Sequence, residues 1–81
     1  MPTLQKLEQE LREIITNELM VSHVEFAEPE DELALDSLTQ TELRVTLQQR
    51  YGIDPSPEAM PVSVTENLAT LVNHIHSQIK H

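Results

Sequence analysis

Three stretches of this chain set their apolar residues at helical spacing and none alternates them, which commits the fold to packed helices. Leu4, Leu7, Leu11, Ile14, Ile15 and Leu19 share one face with charges between them, and Thr3 is a suitable N-cap, so the spacing predicts a helix over residues 4–20. Asp36 is a good cap for a second helix over 37–51, which Gly52, the only glycine, would stop. Ser63 and Glu66 have capping-box spacing, and Val64, Leu68, Leu71, Val72, Ile75 and Ile79 continue from them as one face, predicting a third helix over 64–79. Between the last two, Ser56-Pro57 reads as a cap with proline in the first helical position, giving one short helix over 57–60 that Pro61 ends.

Residues 21–36 lose the helical period and gather Glu25, Glu28, Glu30, Asp31, Glu32 and Asp36 without a lysine or arginine. A loop of this length in a small domain is functional or packed down by its own side chains, so Val24, Phe26, Leu33 and Leu35 are expected to be pinned to the core. With 81 residues the chain is read as a single domain, 1–81, too small for a large enclosed active site.

Composition removes whole classes of function. There is no cysteine, so disulfides, thiolate metal sites and cysteine nucleophiles are excluded. A single glycine cannot supply a phosphate-cradling loop or a dinucleotide fingerprint. A net charge of -9 disfavours nucleic acid and anionic membrane and favours partners with basic surfaces. Phe26 and Tyr51 are the only aromatic residues, which leaves almost nothing for base stacking. No apolar run is long enough to span a membrane, and Glu8, Glu10 and Glu13 stand where a signal peptide would be apolar, so a cytoplasmic, monomeric protein is expected. His74 and His76, two apart on a helix, point to different sides, and no metal site is expected from them or from the acids of the loop.

What remains is Ser37, directly after Asp36 and at the start of the second helix. Free backbone N–H groups and the helix dipole favour a negative group there, so a phosphodiester on this hydroxyl would be electrostatically acceptable. A polar residue beside the cap is the plain alternative. A catalytic serine is a third, disfavoured because no glycine makes a nucleophile elbow around it. At about 100° per residue, Leu43, Leu47 and Tyr51 lie on one face of this helix, with Leu38 and Val45 nearly opposite, so one set is core and the other exposed.

The segment "LALDSLTQTELRVTLQQRYGI" resembles the signature region of acyl and peptidyl carrier proteins, in which an Asp-Ser-Leu triplet opens the second helix. The likeness extends to Leu33 and Leu35 before the triplet, to Glu42-Leu43, Leu47 and Tyr51-Gly52-Ile53 after it, and to the order of helices and loops over residues 3–79. It implies an all-α, acyl-carrier-type bundle that is not an enzyme. Ser37 would carry 4′-phosphopantetheine, transferred from coenzyme A by a separate magnesium-dependent phosphopantetheinyl transferase. Asp36 would cap the helix near that transferase and its metal, Leu38 and Val45 would be apolar contacts beside the arm, and Glu42 a docking charge. The thiol that carries an acyl or aminoacyl thioester would belong to the arm. An acyltransferase or an adenylating ligase would load it, and condensing or tailoring enzymes would receive the cargo.

Two positions depart from the pattern. Ala34 stands where a glycine is usual, so the turn into the helix is expected to differ slightly. Residues 37–51 carry one acid, Glu42, against Arg44 and Arg50, a net charge of +1, where fatty-acid carriers are rich in acids. In this the chain is more similar to carriers of polyketide and nonribosomal peptide assembly than to the housekeeping fatty-acid carrier. An unmodified interaction module that keeps the carrier fold is the competing reading.

Overall fold

The computed structural model describes residues 3–79. Its three α-helices are α1 (Leu4–Glu13), α2 (Ser37–Tyr51) and α3 (Leu68–Ile79), with no strand among the described residues beyond one isolated bridge between Glu32 and Asn67. The stripes read from the sequence meet in one core. Leu7, Leu11, Ile14 and Ile15 pack with Leu43 and Leu47 of α2, and with Leu68, Leu71, Val72 and Ile75 of α3.

Each helix begins as its cap dictates. Thr3 accepts from the Lys6 N–H at 3.1 Å, and Asp36 Oδ1 accepts from the Thr39 N–H at 2.8 Å. The first helix does not stay regular to residue 20. After Glu13 it widens into a π-helical turn, Ile14–Glu18, in which the Leu19 N–H donates to the Ile14 carbonyl at 3.1 Å. The chain then reverses at Met20, whose φ is 60°.

The second connection and the third helix also differ from the sequence reading. Residues 57–60 form a single closed turn rather than a helix. The Met60 N–H donates to the Ser56 carbonyl at 2.8 Å, and Pro61, which has no N–H, cannot extend it. The short helix lies later, as a 3-10 turn over Val62–Thr65. α3 begins at Leu68 instead of 64, because the Glu66 carbonyl is taken by the Leu33 N–H at 2.8 Å and so is withdrawn from a helical ladder. Asn67 caps the helix in place of Ser63, its Oδ1 accepting from the Thr70 N–H at 2.8 Å.

The Leu33–Glu66 bond also stitches the acidic loop to the start of α3, together with the Ala69 N–H donating to the Pro29 carbonyl at 2.9 Å. Within the loop, Ser22–Phe26 is a 3-10 helix. Val24 and Leu33 are buried and Leu35 is half-buried against the core, as expected. Phe26 is not pinned down and is 86% exposed. Three residues per turn place Phe26 about 120° around the axis from Val24, so the two cannot both face inward. Arg12 fixes that orientation, its Nη1 donating to the Val24 carbonyl at 2.8 Å and also to that of Ala27.

Candidate functional site

Asp36 has extended backbone, as an N-cap must, and Ser37 is the first residue of α2. Ser37 is exposed, and the amides of this first turn have no carbonyl upstream to bond. Asp36 satisfies one of them, and the Thr39 N–H in turn holds the Asp36 carboxyl below the ordinary carboxylate range, so it is ionised at neutral pH. The Thr41 hydroxyl donates to the Ser37 carbonyl at 3.0 Å and stiffens the same turn.

α2 divides its faces as its spacing requires. Leu43 and Leu47 are fully buried, whereas Leu38 is 70% and Val45 45% exposed. Leu38, Glu42 and Val45 lie four and three residues apart and form one outward stripe, about a quarter-turn around the helix from Ser37. Asp36, Ser37, Leu38, Glu42 and Val45 are all exposed, the first two at the start of α2 and the other three along its outward face.

Both arginines of α2 are engaged within the fold. Arg44 Nη1 donates to the Pro55 carbonyl at 2.9 Å and to that of Met60, and Arg50 pairs with Glu18 of the widened turn. Both arginines have partners within the chain, Arg50 in an exposed ion pair, and the outward stripe is apolar with one acid, Glu42. The net charge of +1 counted from the sequence did not show these partners, because nothing in a one-dimensional pattern shows which groups a long side chain can reach.

Two contacts of the segments around α2's start were not singled out. His23 Nε2 lies 2.9 Å from the Leu33 carbonyl oxygen. The Thr65 hydroxyl is 2.9 Å from Gln40 Oε1, tying the 3-10 turn after Pro61 to α2 one turn beyond Ser37. Ala34, where a glycine is usual, has φ of 52° and so keeps the left-handed backbone that a glycine would allow freely.

An exposed serine opening a capped helix, beside an exposed leucine, is suited to modification by another enzyme. A family model described as the phosphopantetheine attachment site matches residues 9–75, most of the chain. The chain belongs to this family. It is a carrier rather than a catalyst, bearing covalently attached 4′-phosphopantetheine and working with a phosphopantetheinyl transferase and biosynthetic enzymes. The donor set fits the group: an accessible hydroxyl for the phosphodiester, and first-turn amides with the positive end of the helix dipole beside it. No curated protein and no solved structure matched the carrier. Among its described residues no helix is long and apolar enough to cross a membrane.

Proposed function

We propose that Ser37 is the attachment residue and that this carrier serves specialised biosynthesis of the polyketide or nonribosomal peptide kind, presenting an acyl or aminoacyl thioester to partner enzymes. The observation that carries the first part is the exposed Ser37 at the first position of α2, directly after its Asp36 cap. In the loading step Ser37 Oγ loses its proton and bonds to the phosphorus that bears the pantetheine of coenzyme A, and the adenosine bisphosphate leaves. The bound group supplies the thiol on which cargo is carried. The chain's own residues hold and present it: Asp36 fixes the first turn, and Leu38, Glu42 and Val45 offer the docking stripe.

The second part is supported by what that stripe lacks. Fatty-acid carriers dock through an acid-rich second helix, whereas here Glu42 is the single acid of residues 37–51, Arg44 is turned to backbone carbonyls and Arg50 pairs with Glu18. Partner surfaces are accordingly expected to be an apolar seat for Leu38 and Val45 with one basic group for Glu42.

The test is intact mass after incubation with coenzyme A, magnesium and a broad-specificity phosphopantetheinyl transferase. Wild type should gain one phosphopantetheine, and Ser37→Ala none. A gain by the mutant would place the arm elsewhere, and no gain by either would favour an unmodified interaction module. Loading of the holo protein by adenylating ligases or by acyltransferases then separates aminoacyl from acyl cargo.

A further inference from the structure

Beside the attachment turn lies a cleft of about 330 Å³ whose walls come from two separate segments, the end of the first helical unit and the turn into α2. Met20, Val21 and His23 form one wall, and Ala34, Leu35 and Asp36 the other. Met20 and Ala34 are the two non-glycine residues with positive φ among the described residues, at 60° and 52°, and both line this one cleft. A left-handed conformation is strained for an ordinary residue, and such strain gathers where a particular surface shape is required. A hydrogen bond joins the walls, between His23 Nε2 and the Leu33 carbonyl. A carbonyl only accepts, so Nε2 must carry the proton, which leaves Nδ1 as the acceptor of the neutral ring.

We infer that this cleft, on the Met20 side of Ser37, is a resting seat for the chain's own pantetheine arm. The inference rests on Ser37 being the attachment residue. Continuity argues for this occupant, because Asp36, directly before Ser37, and Thr39, two residues after it, both line the cleft. The chemistry agrees. The arm has a branched apolar segment followed by amides, and the cleft has apolar surface from Met20, Val21 and Leu35 with an imidazole acceptor and the Ser22 hydroxyl for amide N–H groups. Met20, 84% exposed, would be covered by an arm lying there. The arm would leave the seat when Leu38, Glu42 and Val45 engage a partner.

The experiment compares backbone amide spectra of nitrogen-15-labelled apo and holo protein, with loading established first by intact mass. The seat predicts shifts at residues 19–23 and 34–35 as well as next to Ser37. In Met20→Asp, which keeps a residue tolerant of positive φ but places a charge in the cleft, loading should be complete while the remote shifts fall by at least half. His23→Ala should reduce them in the same direction. A loaded wild type whose amides at 19–23 and 34–35 keep their apo positions, or shift only around Val62–Thr65, overturns the seat and leaves the attachment reading intact. Equal remote shifts in wild type and Met20→Asp also overturn it. A wild type that gains no mass removes both.

Discussion

Arg44 Nη1 lies 2.9 Å from the Pro55 carbonyl oxygen and also donates to that of Met60, so one α2 side chain holds both ends of the turn that follows the helix. That turn carries buried Met60 into the core and leads to the 3-10 segment packed against Gln40. Hydrogen bonds from a charged donor to partly buried carbonyls are worth about 1.5–3 kcal/mol, so Arg44→Ala should lower stability by roughly that amount. Arg44→Lys should recover only part, because an ammonium lacks the planar fork. Urea unfolding measures both, and an unchanged midpoint for Arg44→Ala would mean that the turn holds itself.

Ala34 and Gly52 make a matched pair, with φ of 52° and 68°. Replacing Ala34 by glycine removes left-handed strain and adds chain freedom to the unfolded state, a balance that should stabilise by a few tenths to about 1 kcal/mol. Gly52→Ala should destabilise by about 1 kcal/mol, and through the backbone alone, because a Cβ there would meet nothing within 4 Å. Paired thermal melts give the two signs, and a destabilised Ala34→Gly would show that unfolded-state entropy outweighs the strain.

What the sequence could show follows the range of each interaction. Periodicity groups residues by face, so the core stripes of α1 and α3 and the division of α2 into Leu43 and Leu47 against Leu38 and Val45 were legible, though not which α2 set faces inward. Caps act over three residues, so Thr3, Asp36 and Gly52 were legible as well. The start of α3 was not, because it is decided by the Leu33 N–H taking the Glu66 carbonyl, a partner more than thirty residues away. Phe26 failed for a local reason, since a 3-10 turn leaves no apolar period long enough to read. The cleft beside Ser37 was hidden because its walls come from segments joined only by the fold.

The phenol of Tyr51 donates to Glu10 Oε1 at 3.1 Å, an α2 to α1 contact at the end of the bundle away from Ser37. Burial, the hydrogen bond and the charge of Glu10 together raise its pKa from 10.0 to about 12. The folded state therefore holds this proton more tightly than the unfolded one, so the associated stability is complete below pH 10 and is lost as pH rises toward about 12. Tyr51 is the only tyrosine, so phenolate absorbance follows it directly. Stability of the wild type should fall across that range, and Tyr51→Phe should lose this component of the fall. An ordinary phenol titration near 10.0 would show that the contact is not kept in solution.

The two faces of α2 predict opposite outcomes for the same chemical change. Leu43 is fully buried, and its truncation to alanine should cost about 2–5 kcal/mol, as for other core leucines. Leu38, 70% exposed on the same helix, has little surface to lose, so Leu38→Ala should shift the midpoint by less than about 0.5 kcal/mol. Phe26→Ser should be as mild, at 86% exposure. If the outward stripe is the docking face, Leu38→Ala should slow transfer to partner enzymes with fold and mass unchanged, whereas Leu43→Ala should act on them only through unfolding. A Leu38→Ala protein that loses several kcal/mol would place that side chain in the core. One that keeps both its stability and its transfer rates would move the docking face off the stripe.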